Sequence, residues 1–202
     1  FNRFGHYPGV GAYQGKDSAY YDWFTFKDFP EDYRAWWGIM SLPELRKTNP
    51  AYQDFMFHEE TGIVPRWILA GACGWRLDVA DELPMDFLRK LRKAAHKADP
   101  NAVVLGEVWE DASNKVAYGE TRCYCTGDTL DSVMNYPLRE AILGFVTGKC
   151  SAYDLARLVR HQEEVYPPQF RYALMNLVGS HDRTRVLNML CGEERADLSK
   201  AD

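Results

Sequence analysis

Three acids stand at the ends of apolar runs, and they constrain the fold more than anything else in the chain. Asp78 closes Gly74-Trp75-Arg76-Leu77-Asp78-Val79, Glu107 closes Val103-Val104-Leu105-Gly106-Glu107, and Asp182 closes Leu177-Val178-Gly179-Ser180-His181-Asp182. Each run has the character of a buried strand. A buried charge without a partner costs several kcal/mol. One such acid can be a helix cap or the partner of an arginine. Three are explained together if the strands point into one polar pocket.

The runs alternate with helical patterns. Strands are expected at about 74–79, 102–108, 132–134 and 172–178. Helices are expected after Asn49-Pro50, over 84–97 with Phe87, Leu88 and Leu91 as its stripe, from Pro137, over 151–165, and over 183–191. In the first of these, Phe55, Phe57, Ile63, Trp67 and Ile68 supply an apolar face, broken or bent at Gly62 and Pro65. Consecutive strands joined by helical crossovers form a parallel sheet. Asp78 and Glu107 lie about one βα unit of ~30 residues apart. Acids at the C-terminal ends of the first, second and fourth strands suit an α/β barrel. An open doubly wound sheet is the other architecture, but no Gly-x-Gly-x-x-Gly turn follows a strand.

Residues 1–45 are rich in Gly, Tyr, Trp, Phe and Asp without clear periodicity, a loop-dominated segment packed by its aromatics. The chain starts at Phe1 without an initiator Met and ends in the polar Lys200-Ala201-Asp202, so it reads as a piece of something longer. A net charge of -5 argues against a nucleic-acid partner, which needs a basic face. No apolar run approaches the roughly 20 residues of a membrane helix. The five cysteines form no even framework, and Cys123-x-Cys125 is too tight for a zinc site. Reduced thiols in a cytoplasmic protein are the expectation.

Paired carboxylates can divide the work of glycoside hydrolysis, one attacking the anomeric carbon and the other giving a proton to the leaving oxygen. Arg76 shares a strand face with Asp78 and can aim its carboxylate. Glu107 lies among Val104, Leu105, Val108 and Trp109, the apolar surroundings a general acid requires. Asp182 follows His181. A third acid near a sugar can stabilise positive charge in an oxocarbenium-like transition state.

These strings carry a resemblance. Gly74-Trp75-Arg76-Leu77-Asp78-Val79-Ala80-Asp81-Glu82 resembles the nucleophile region of the alpha-amylase family of glycoside hydrolases. Gly106-Glu107-Val108-Trp109 is similar to its acid/base region, and Val178-Gly179-Ser180-His181-Asp182 to its third catalytic region. Asp81-Glu82, with Trp36-Trp37-Gly38 and Leu42-Pro43-Glu44-Leu45, is similar to the neopullulanase, cyclomaltodextrinase and maltogenic amylase group.

The resemblance implies an α/β fold, a fragment of a (β/α)8 TIM barrel. Residues 1–45 would be an irregular, domain B-like insert after a third barrel strand outside the chain, and 46–202 the central part of the catalytic barrel. It implies a retaining enzyme acting on an α-glucan: maltooligosaccharides, cyclodextrins, pullulan or starch. Asp78 would be nucleophile, Glu107 acid/base and Asp182 transition-state stabiliser, with Arg76, His181, Glu82 and Trp109 around the substrate. A transglycosylase of the same family and a non-catalytic carbohydrate-binding barrel are the alternatives. Calcium is common in the family, and Asp17, Asp22 and Asp28 are candidate ligands at loose spacing. A homodimeric parent is one option. The family's first conserved region, an Asp shortly before Asn-His, has no match, so the chain alone is expected to have little or no activity.

Overall fold

Residues 1–49 fold around their rings. In the computed structural model, which describes residues 1–192, Phe1 packs against Tyr13, Phe24, Phe26 and Tyr33. The short strands β1 (Phe26–Asp28) and β2 (Asp32–Tyr33) pair antiparallel beside this cluster. Aromatic packing takes the place of extended secondary structure in this segment.

Local signals set the next elements. The Asn49 side chain accepts the Tyr52 N–H at 2.9 Å, and Pro50 opens α1 (Pro50–Phe57). Gly62 separates α1 from α2 (Ile63–Leu69), so the run breaks there, whereas Pro65 is tolerated in the first turn of α2. The expected apolar face needs correction. Tyr52, Val64 and Ile68 are buried, while Phe55 and Trp67 are exposed.

β3 (Gly74–Leu77) leads to α3 (Met85–Ala98), which buries Phe87, Leu88, Leu91 and Ala95. β4 (Val103–Gly106) returns parallel to β3, residue by residue from Gly74 opposite Val103 to Leu77 opposite Gly106. Gly74 fixes this register, because a Cβ there would lie 1.9 Å from the Val103 carbonyl oxygen. A small antiparallel hairpin follows, β5 (Val116–Ala117) and β6 (Glu120–Thr121). β7 (Ser132–Val133) then pairs parallel with β4. Among the described residues the sheet order is β3-β4-β7. α4 (Tyr136–Val146), α5 (Ala152–Val165, opened by a Ser151–Asp154 capping box), α6 (Pro168–Tyr172) and α7 (Val186–Leu190) complete the fold. The core lies between the sheet and α1–α3, and extends to Tyr124, Tyr166 and Phe170.

The expected fourth strand over 172–178 is not formed. α6 takes Tyr172, and what remains is a single parallel bridge from Met175 to Met134. Its neighbour β7 is two residues long, so there is little ladder to extend. Asp182 consequently sits in a turn rather than at a strand end. Residues 193–202, assigned to the barrel from sequence, lie outside the described residues. No helix among the described residues is long and apolar enough to cross a membrane.

At the opposite end of the sheet, just before β7, Asp131 collects Arg92 at 2.7 Å, His96 Nε2 at 2.8 Å and the Val104 N–H at 2.9 Å. Burial alone would raise its pKa, but the bonds from His96, the Val104 N–H and Arg92 outweigh burial and lower it. The folded value therefore lies below the unfolded one of about 3.9. Stability from this group is present above about pH 4 and lost as pH falls through the folded value. Asp131→Asn should cost about 2 kcal/mol at neutral pH and flatten the acid limb of stability. Urea melts across pH read both, and an unchanged neutral value would remove Asp131 from the stability account.

Candidate active site

Asp78 and Glu107 arrive together because the β3–β4 ladder runs past the strand ends. The Glu107 N–H donates to the Leu77 carbonyl at 2.9 Å, and the Ala80 N–H donates to the Glu107 carbonyl at 3.2 Å. Gly106 lets the turn after β3 lie this close. A Cβ there would be 3.3 Å from the Ala80 Cβ and 2.6 Å from Leu130.

Glu107 is 4% exposed, and both its carboxylate oxygens are occupied. Oε2 accepts the Val79 N–H at 2.8 Å, and Oε1 accepts the Trp109 Nε1–H at 3.0 Å. To make its bond, Val79 adopts the left-handed region at φ 42° and ψ 59°. A β-branched residue there is strained by about 1–3 kcal/mol. The strain lies on the turn that joins the two acids.

Arg76 binds all three carboxylates. It hydrogen-bonds Asp78 and brings Nη2 within 3.1 Å of Glu107 Oε1 and 3.9 Å of Asp182 Oδ2. The Glu107 contact is close enough for an ion pair but is not aligned as a hydrogen bond. Partial burial pulls the guanidinium pKa down, but the bond to Asp78 and the charges of Glu107, Asp78 and Asp182 carry it above its ordinary value. Arg76 is therefore a permanent cation among three acids.

The remaining expected residues surround this cluster in different ways. His181 is well exposed and lies 3.2 Å from Asp182 Oδ2. Trp109 stacks on Tyr136 at 4.9 Å, lies under the Arg183 guanidinium at 5.1 Å, and donates to Glu107. It supports the acid as much as it offers a face to a ligand. Glu82 is the end of a bridge. It accepts the indole N–H of Trp36 at 2.6 Å, that of Trp37 at 2.7 Å and the Tyr118 hydroxyl at 2.9 Å. Trp36 and Trp37 are stacked at 4.7 Å, and Trp37 is 74% exposed. A cleft of about 440 Å³ lined by Trp36 reaches Asp78, Val79 and Glu82, and Trp37 lies on a neighbouring cleft that shares Glu82. An exposed aromatic face beside polar groups suits a sugar ring. Among the described residues no three acidic, His or Cys side chains converge as a metal site requires, and Asp17, Asp22 and Asp28 do not form such a group.

Sequence reasoning did not reach several supporting residues. Arg139 is 1% exposed and donates to the Val178 and Thr184 carbonyls at 3.2 and 3.0 Å, holding the turn that carries His181 and Asp182. The Tyr136 hydroxyl donates to Ser180 Oγ at 3.0 Å in the same turn. Tyr118, Arg122 and Tyr124 come from the polar stretch around β5 and β6. Only the odd placement of an Arg on the apolar side of α4 could have marked one of these beforehand.

Comparison with known proteins gives a consistent result. Residues 12–202 match the family model described as "Alpha amylase, catalytic domain". The chain is 34% identical over 227 residues to an amylopullulanase of Thermoanaerobacterium thermosulfurigenes, covering 98% of this chain and 12% of that protein. It is also 34% identical over 189 residues to neopullulanase 2 of Thermoactinomyces vulgaris, covering 90% of this chain and 30% of that protein. Among solved structures, the ligand-free cyclic alpha-maltosyl-(1→6)-maltose hydrolase of Arthrobacter globiformis matches with a TM-score of 0.78 at 31% identity, covering 90% of this chain and 40% of that one. The chain thus spans well under half the length of these relatives. With a family model matched over nearly its whole length, the chain belongs to the alpha-amylase family, within its catalytic domain.

Proposed function

We propose that the protein carrying this chain is a retaining glycoside hydrolase that cleaves α-glucosidic bonds in maltooligosaccharides, cyclodextrins, pullulan or starch. The observation that supports it best is Arg76, in contact with Asp78, Glu107 and Asp182 at once. Such a grouping brings three acids to one point without leaving their repulsion uncompensated. In this reading residues 1–45 are an insert and 46–202 the central arc of a (β/α)8 barrel, with the acids on its C-terminal face.

Each acid then has one task. The Asp78 carboxylate attacks the anomeric carbon as the glycosidic C–O bond breaks, and the Glu107 carboxyl gives its proton to the departing oxygen. Glu107 next takes a proton from water, whose oxygen attacks the same carbon and releases Asp78. Asp182 stabilises the positive charge between these states. His181 and Trp109 face the sugar, and Trp36 with Glu82 borders the cleft on the insert side.

The intact protein should hydrolyse at least one of cyclodextrin, pullulan and starch. Glu107→Gln should lower kcat by about 10³-fold while the fold is kept. A folded wild type inert on all three would sink the reading. A Glu107→Gln variant as active as wild type would sink the assignment of the acid.

A further inference from the structure

The turn after β3 has to do two things at once. It starts at the proposed nucleophile Asp78, and its Val79 N–H reaches the Glu107 carboxylate at 2.8 Å. Its strained Val79 needs restraint from outside, because a non-glycine residue stays left-handed only where its surroundings over-determine it.

Beside the indoles of Trp36 and Trp37 on Glu82, that restraint comes from residues 115–124. The Tyr124 hydroxyl donates to Asp81 Oδ1 at 2.6 Å, and Lys115 Nζ lies 3.2 Å from Asp81 Oδ2. Arg122 Nε donates to the same Tyr124 oxygen at 3.1 Å. Arg122 Nη2 donates to the carbonyls of Ala80, at 3.4 Å, and Leu83. Tyr124 and Arg122 are both buried. Burial, reinforced by the bond to Asp81, pushes the Tyr124 phenol well above its ordinary pKa, so it stays a donor. Lys115 also pairs with Glu110, in the loop that follows Glu107. The segment therefore grips the turn at its side chain and at its backbone.

We propose that Asp81 and Tyr124, braced by Arg122 and Lys115, are positioning residues that hold the 79–82 turn so that the Val79 N–H aims the Glu107 carboxyl at the leaving oxygen. This rests on the glycosidase reading above. The residues touch neither the acid nor a sugar. They act through the backbone of the turn. Proton donation matters most for a poor leaving group, and this separates positioning from a general loss of folded protein.

The test uses the intact protein and two substrates. The sugar leaving group of maltotriose departs only with a proton, whereas maltosyl fluoride loses fluoride with little help. Tyr124→Phe, which removes one oxygen, should lower kcat/KM by about ten- to hundred-fold on maltotriose and by less than about two-fold on the fluoride. Asp81→Ala should do the same, and the double variant should fall short of the product of the two losses, because each single already removes the shared Tyr124–Asp81 bond. Equal losses on the two substrates, or none on either, overturn the proposal. If Tyr124→Phe does not fold, Lys115→Met carries the same comparison. Glu107→Gln is run beside them. If it spares the fluoride and loses maltotriose, the glycosidase reading stands whatever Tyr124→Phe does. A wild type inert on both substrates ends that reading itself.

Discussion

Arg76→Met should leave a folded protein with kcat/KM reduced by about 10³-fold or more. The guanidinium is the one cation in contact with Asp78, Glu107 and Asp182 among the described residues. Methionine keeps much of the side-chain volume and removes the charge. Two carboxylates about 4 Å apart repel by about 4 kcal/mol at an effective dielectric of 20. Without Arg76 the acids must therefore move apart, or Asp78 or Asp182 must take up a proton besides the one Glu107 carries. Either change misaligns attack and proton transfer. Arg76→Lys should fall between the two, since an ammonium restores the charge but not the planar fork that spans several carboxylates. Steady-state kinetics on the glucan, with far-ultraviolet dichroism to show folding, decide the matter. An Arg76→Met enzyme within ten-fold of wild type would mean that the acids are organised by something else.

The second large effect is expected from Arg139, which acts through the turn that carries His181 and Asp182. Its side chain is enclosed, hydrogen-bonds Val178 and Thr184 across the turn, and shares Glu140 with Arg183. Arg139→Met removes the donors from two part-buried carbonyls and leaves Glu140 to Arg183 alone. Leaving such acceptors without their donors costs about 1–3 kcal/mol. The loss should be local as well as global. Amides of 178–184 should exchange hydrogen faster, while α3 keeps its protection. Activity should fall with the placement of Asp182. Denaturant melts measure the first effect and exchange mapping the second. Uniform exchange through the molecule would show that Arg139 supports the core in general and not this turn.

What could be read in advance follows from the range of each interaction. Asn49-Pro50 and the Phe87-Leu88-Leu91 stripe act within one or two helical turns, and they set α1 and α3 as expected. Asp78 and Glu107 were legible because an acid after an apolar run breaks a local rule. Asp182 was legible as a motif but not as a strand end, since strand formation over 172–178 depends on a neighbour and not on the apolar pattern alone. Arg122 and Tyr124 were not legible, and Arg139 showed only as an Arg on the apolar side of α4. Their partners lie about 40 residues away in sequence, which no local pattern reaches. Phe55 and Trp67 misled in the opposite direction, being apolar at the right spacing yet exposed.

The bridge at Glu82 bears on how such loops can be exchanged. One carboxylate serves indoles from residues 36 and 37 and a phenol from residue 118, so three stretches of sequence meet at a single acceptor. A graft that imports the 116–121 hairpin alone, or the Trp36–Trp37 segment alone, removes donors from an acid selected to satisfy both. The orphaned oxygen would then recruit water or swing into the cleft, altering ligand preference at a position the graft never touched. These segments behave as one inheritable module, and recombination between relatives should respect its borders.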